Sequence, residues 1–412
     1  MTTDIRSAER ESEQRNDVDR QLSTRRICMV VHAEYPRDTR VRREAEAALD
    51  AGHAVDVICV RDPGEARSEV IGGVHVRRLS IRHIPGASPW RMVFEYLLFA
   101  AISTLVLIPA AVRRRYQVIH INNPPDFLII AGLLPRLSGS RLILDVHDLS
   151  SHMFRSRFRG RTGRVVGRVL DLIERWAARL AQVVLTVHEP YRRELIAHGV
   201  PAEKVVVVMN VADQVLLSAV EPNEAHAQSD EFIVAYSGTV APWYGVELIV
   251  DALDQLALDV PTAKGLILGG GDALDAVRTR AVDRGVADRV TFTGWLPTAE
   301  ALVQISQAGC GVIPNLPTEL NRFALSTKLF EYIGIGIPVV VAKLETLEAH
   351  FDEAEVTFFT AGDAGSLADA LKWIATHPDE ANAKTRRARE RVTLQYSWAM
   401  NRDRYIRAVE AG

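Results

Sequence analysis

From residue 26 onward, short runs of branched apolar residues alternate with longer stretches in which apolar positions recur every three to four residues. RICMVVH, AVDVICV, GVHVRRL, VIHI, RLILDVH, VVLTV and KVVVVMN predict strands of a parallel sheet covered on both faces. Between them, RVRREAEAALDAG, ending at Gly52, and VVGRVLDLIERWAARLA carry the helical period. This is one doubly wound α/β half, running to about residue 212. Residues 213–231, DQVLLSAVEPNEAHAQSDE, lose the rhythm and read as a polar linker. The alternation then restarts with strands FIVAYSG, KGLILGG, VTFTG, GVIP and IPVVVA, interleaved with helices VELIVDALDQLA, ALDAVRTRAVDRG, EALVQISQAG and TKLFEYIG. No sequence period links the halves, so this is no repeat array. A length of 412 residues is also more than one ordinary core accommodates. Two Rossmann-like domains facing across a cleft are therefore expected.

Composition narrows the function classes. With 49 basic and 52 acidic residues the net charge is -3, which gives no reason to expect a nucleic-acid partner. Cys28, Cys59 and Cys310 lie in apolar runs without metal-like spacing and read as reduced, buried thiols of a cytoplasmic protein. Residues 1–24 are charged and aperiodic, lack the apolar core of a secretory signal, and are expected to be a disordered tail. The uncharged run YLLFAAISTLVLIPAAV, residues 96–112, contains Pro109 and precedes Arg113, Arg114 and Arg115. At the lower length limit for a span, it predicts a buried or membrane-skimming helix rather than a crossing one.

Ligands of open α/β sheets bind beyond the carboxyl ends of the strands, which directs attention to the junctions SGTVAPWYG, GGGDA, TGWLP and PNLPTELNRFALSTK. A helix beginning near Ser326 offers unpaired N–H groups and the positive end of its dipole, and Lys328 places a full cation in that first turn. Such a cation is unfavourable by up to about 1 kcal/mol unless an anion shares the space. A diphosphate resolves the conflict, and Glu331, one turn on, suits the two hydroxyls of a ribose. The competing reading is a solvated stripe with an i, i+3 ion pair. There is no GxGxxG and no GxxxxGK[ST], and the lone D-x-D, Asp17 to Asp19, sits in the tail, so neither a P-loop nor a carboxylate-pair metal site is expected.

As an ordered set, SGT…YGVELIVDAL, LILGGG, VTFTGWLP, ALVQISQAGCGVIP and ALSTKLFEYIGIGIPVVV resemble the nucleotide-sugar half of the family 4 retaining glycosyltransferases of GT-B architecture, in an envelope-polysaccharide-like form. RDTRVRREAEAALDAGHAVDVICV, VIHINNPPD, RLILDVHDL and LTVHEPYRRELIAHGVPAEKVVVVMN resemble the acceptor half. YSWAMNRDRYIRAV resembles the last helix, which rejoins the first domain, so the expected division is 25–212 with 396–412, and 232–395. The resemblance implies diphosphate binding by Ser326, Thr327 and Lys328, ribose binding by Glu331, a base beside Gly294, Trp295 and Leu296, phosphates near Gly238 and Thr239, and catalytic roles for His147 and Lys328. It implies a nucleotide sugar as donor, a glycan or lipid-linked acceptor, and no metal or other cofactor.

The chain departs from the family pattern in places. Phe323 stands where the first of two glutamates is usual, and Thr239 and Tyr244 stand in the junction that usually carries Arg and Lys. Either Lys328 gains weight or Arg322 supplies a cation. Asp38 and Arg40 replace a glycine pair and become acceptor-side candidates. His147, beside Asp145 and Asp148, also reads as an ordinary loop histidine, and Asn122, Asn123 and Asp126 suit either sugar hydroxyls or a plain turn. HMFRSRFRGRTGRVVGR, residues 152–168, holds six arginines from Arg155 to Arg168 and no acid, which fits an anionic membrane surface or a basic stripe on an ordinary helix. The rival functions are a nucleotide-sugar epimerase of the same plan and a non-catalytic sugar-nucleotide-binding subunit.

Overall fold

The computed structural model describes residues 24–81, 89–148, 160–220 and 231–411, which divide into two compact units: residues up to Met209 with Asn401–Gly412, and Asn210–Met400. The first 23 residues and the arginine-rich 152–159 lie outside the described part.

The first unit is built from β1 (Arg26–Val31), α1 (Thr39–Asp50), β2 (Ala54–Val60), β3 (Ser68–Ile71), β4 (Val74–Leu79), α2 (Pro89–Val112), β5 (Val118–Asn122), a 3-10 segment (Asp126–Gly132), α3 (Leu133–Leu137), β6 (Arg141–Val146), α4 (Gly160–Leu180), β7 (Val183–Thr186), α5 (Glu189–Ala197) and β8 (Val205–Val207). Its sheet runs β3-β4-β2-β1-β5-β6-β7-β8, parallel except for the β3–β4 hairpin. Every residue of β5 is buried, as expected of a central strand covered on both faces. The β3 strand was not visible in the apolar pattern because three of its four residues are exposed and its pairing is a hairpin edge. The helix anticipated over 96–112 begins earlier, at Pro89, where proline suits the first helical turn.

The second unit comprises α6 (Gln214–Ser218), β9 (Phe232–Ser237), α7 (Glu247–Leu256), β10 (Ala263–Leu268), α8 (Leu274–Asp283), β11 (Val290–Gly294), α9 (Thr298–Ile305), β12 (Cys310–Ile313), α10 (Thr327–Ile335), β13 (Val339–Ala342), α11 (Glu345–His350), β14 (Thr357–Phe359), α12 (Ala364–Thr376) and α13 (Pro378–Gln395). Its strands run β11-β10-β9-β12-β13-β14, with each neighbouring pair parallel. The order reverses between β9 and β12, so the loops leaving those two strands diverge and leave a crevice at their carboxyl ends. The segment expected to be a featureless linker contains α6, whose Leu217 is buried and lies where a side chain on Gly334 would be.

A last helix, α14 (Trp398–Glu410), starts in the second unit and ends in the first. There Arg25 donates to the carbonyls of Val409 and Glu410, the Asn401 carboxamide oxygen accepts from the Met209 N–H at 2.8 Å, and Tyr405 is fully buried beside His120. All three cysteines are free and buried.

Candidate active site

Two constellations sit at strand ends, one in each unit. In the second unit, β9 ends at Ser237 and turns through Gly238, β10 ends in Gly269–Gly271, and α10 starts at Thr327. Ser326, in extended conformation, occupies the N-cap of α10 without donating a side-chain acceptor to the turn, so the first N–H groups keep their capacity for an anion. The Lys328 side chain crosses Gly238: a Cβ there would lie 2.4 Å from its Cε and 2.8 Å from its Nζ. The φ of +116 at Gly238 favours glycine, and a side chain there would also displace the end of Lys328. The Lys328 ammonium lies 4.8 Å from the Tyr236 ring centroid and 5.0 Å from that of Tyr244, and 3.4 Å from the Tyr236 hydroxyl. Burial lowers its pKa to about 8, while the charge of Glu331 opposes the shift. Half-buried between two aromatic faces, the cation is disposed to favour an anionic neighbour.

The glycine loop closes the other side. Gly271, at φ +151, and Gly269, at φ +130, approach the backbone of Val240 and Gly238 so closely that no Cβ fits. A Cβ on Gly270 would lie 2.9 Å from Trp295 Nε1, so the largely exposed indole covers that glycine. Gly294 accepts the Gly269 N–H at 2.8 Å, which ties the TGWLP junction, with half-buried Leu296, to the same loop. The α10 helix is fixed to the strand end by Tyr332, whose hydroxyl accepts the Ser237 N–H at 2.9 Å. Thus Gly238, Thr239, Gly294, Trp295, Lys328 and the Ser326–Thr327 turn come together, with Glu331 half-buried one turn along. Tyr236 escaped notice in the sequence because an aromatic in a strand reads as core.

Three positions singled out in the sequence can be placed here. Arg322 donates to Glu345 at 2.6 Å and lies over the Phe323 ring. Phe323, in place of the expected glutamate, is buried core. Tyr244, in place of a cation, walls in Lys328.

In the first unit His147 follows β6. Its Nε2 lies 2.8 Å from Asp145 Oδ2, and its backbone N–H donates to Asn123 Oδ1 at 2.7 Å. Burial works against the Asp145 carboxylate, but Arg40 and His147 hold it ionised well below the usual range. Arg40 donates through Nε and Nη2 to both Asp145 oxygens at 2.8 and 2.7 Å and through Nη1 to the Val208 carbonyl. The acceptor-side candidates all have partners within the first unit. Arg40 is buried and spends its fork on Asp145, and Asp38 caps α1 by accepting from the Arg40 and Val41 N–H groups. Asn122 is fully buried and lies 3.4 Å from the Val30 carbonyl. Asn123 bridges the β5 and β6 loops by donating to Asp126 and to the Asp148 carbonyl.

Glu44, His120 and Asp145 are the group among the described residues whose spacing suits a cation. Arg40, 2.7 Å from Asp145 and 3.4 Å from Glu44, already supplies positive charge there. Burial and the charge of Asp145 push the Glu44 carboxyl well above its ordinary value.

Known proteins bear on this arrangement. Residues 38–210 match the glycosyl transferase 4-like domain and residues 247–407 the glycosyl transferase-like domain. The chain is 28% identical over 162 residues to a GDP-mannose-dependent alpha-(1-6)-phosphatidylinositol monomannoside mannosyltransferase of Mycobacterium tuberculosis; the alignment spans 39% of this chain and 42% of that relative. Among solved structures it is similar to sucrose-phosphate synthase of Thermosynechococcus elongatus, with TM-score 0.73, 19% identity, and coverage of 92% of this chain and 96% of that one. It is also similar to the Anabaena protein HepE in complex with UDP and glucose, with TM-score 0.69, 16% identity, and coverage of 94% and 100%. With a glycosyl transferase 4-like first half and a glycosyl transferase-like second half on two Rossmann-like units, the chain belongs to the GT-B glycosyltransferases.

Proposed function

We propose that this glycosyltransferase is a retaining, metal-independent enzyme that moves a sugar from a nucleoside diphosphate donor to a glycan or lipid-linked acceptor in cell-surface polysaccharide or glycolipid synthesis. It acts in the cytoplasm, peripheral to the inner face of the membrane. One observation carries the reading: Lys328, desolvated between Tyr236 and Tyr244, at the uncapped start of α10 and across Gly238. As the bond between the anomeric carbon and the diphosphate breaks, negative charge grows on the departing phosphate. The α10 N–H groups and Lys328 stabilise that charge more in the transition state than in the ground state. Glu331 takes the ribose hydroxyls and Trp295 lies beside the base. His147, held by Asp145, meets the reacting sugar. The solved neighbour with UDP and glucose supports a nucleotide-sugar donor.

A thermal-shift screen of the purified protein against UDP, GDP and ADP and their sugars tests this. One nucleotide series should raise the melting temperature by mass action, and donor consumption should require His147. No shift with any of them overturns the donor assignment. A shift without transfer or hydrolysis makes the protein a binding subunit, the reading that buried Phe323 favours.

A further inference from the structure

The α2 helix is long and apolar enough to cross a membrane: Trp90–Val112 is 23 residues and its most apolar 18-residue window has mean hydropathy 2.0. Its inner face nevertheless holds it to the first unit, where Phe99 and Leu107 are buried and the Glu95 carboxylate lies 3.1 Å from His32 Nε2. A crossing helix would have to withdraw those groups from the core, so α2 lies along the protein. Its outer face is different. At 100° per residue, Trp90, Phe94, Leu97, Leu105, Ile108 and Val112 fall within an arc of about 80° and run for about 33 Å without a charge. Trp90 is 83% exposed and Val112 79%.

The exposed surface extends beyond α2, which packs on the 3-10 segment and on α3, while α4 packs on the same 3-10 segment. Leu137 at the end of α3 is 84% exposed. Val165, Val169, Leu172 and Trp176 form a second exposed stripe along α4. A soluble monomer rarely leaves so large an apolar area uncovered.

Exposed cations flank it. Arg91 stands at the start of α2 and Arg113, Arg114 and Arg115 at its end, all exposed, and Arg168 is exposed on α4. Beside the end of α2, a cavity of about 780 Å³ is walled by Val106 and Pro109 and carries Arg67, Arg77 and Arg113 on its rim. Asp56, the carboxylate lining it, is already taken up by Arg26, Arg115 and Tyr116.

We infer that this face docks on a bilayer of anionic phospholipid, with the outer stripe of α2 and its neighbours on α3 and α4 sunk into the boundary between headgroups and acyl chains, and lipid phosphate held by the arginines at the end of α2. A second copy of the chain is a poorer occupant. Antiparallel pairing of two α2 helices sets Arg91 against Arg113–Arg115, and parallel pairing sets those three against themselves. The inference deepens the membrane-peripheral part of the proposed function and does not depend on the donor site.

Flotation of the full chain with vesicles of phosphatidylcholine alone, and with phosphatidylglycerol added, tests it. The protein should float with the anionic vesicles and be released by salt. Leu97→Asp with Leu105→Asp should weaken binding at least about tenfold, and Arg113→Glu with Arg114→Glu should remove the preference for anionic lipid. Because these residues are exposed, circular dichroism should show both variants folded, with unchanged thermal response to nucleotide. A wild-type protein that stays with the soluble fraction, or stripe variants that float like wild type, would overturn the inference. So would a stable dimer that the stripe variants convert to monomer. Flotation without any nucleotide response would remove the donor reading and leave this one standing.

Discussion

At the scale of single residues two charged groups stand out, half-buried Lys328 and fully buried Asp145, each with its pKa moved below the ordinary value. Lys328 has a folded pKa of about 8 against an ordinary value near 10.5, so between those values the unfolded chain binds the extra proton and stability rises with pH. Below about pH 8 the cation is present and its burial cost is felt in full, a cost that a bound diphosphate offsets. Diphosphate affinity should therefore fall as pH rises past 8, by at most about tenfold per unit, while affinity for the free nucleoside stays level. Calorimetry at pH 7 and 9.5 measures both, and a parallel fall in the two would remove the phosphate contact. Lys328→Ala should lower turnover more than nucleoside binding. The other charge is Asp145. Changing it to Asn leaves Arg40 buried against a neutral amide and should cost about 3 to 5 kcal/mol in urea unfolding. His147→Ala, by contrast, should leave nucleotide binding and fold intact while abolishing transfer; full-rate transfer would refute its role.

At the scale of elements, function rests on how strands end. β9 and β10 both terminate in glycines whose conformations or contacts exclude a side chain, which lets α10 bring its first turn against them. Gly238→Ala would drive a methyl into Lys328 and strain φ +116, so nucleotide binding should fall at least about tenfold with a smaller loss of stability. Equal affinity in the variant would show that Lys328 can move without consequence. Glu331→Ala, on the same helix but half-buried, should weaken nucleotide binding without lowering the melting temperature of the free protein. Helix α10 was visible in the sequence with its cap, period and terminal Gly336. The tyrosines around Lys328 were not, because Tyr236 arrives from another strand and Tyr244 from the loop that follows it.

At the scale of the whole chain, the last helix makes the first unit depend on residues almost 400 positions from its first strand. Tyr405 is fully buried, with its hydroxyl 3.3 Å from His120 Nδ1. Tyr405→Ala should cost about 3 to 5 kcal/mol, seen as an earlier urea transition of the first unit. An unchanged transition would mean that the helix adds little to that core.

Sequence alone determined the two doubly wound halves, most of their strands and the polar start of α10, because hydrophobic period, strand-ending glycines and caps are local properties that a few neighbouring residues express. It did not show the partners of Asp38, Arg40, Asn122 and Asn123, and overlooked β3 and β14. Their roles are set by partners: Arg40 is bound by Asp145, 105 positions away, and the edge strands are short and weakly patterned. Only the tertiary structure decided which cation lies between aromatic faces at a helix start and which apolar helix face stays exposed, since both are defined by what the rest of the fold does or does not cover.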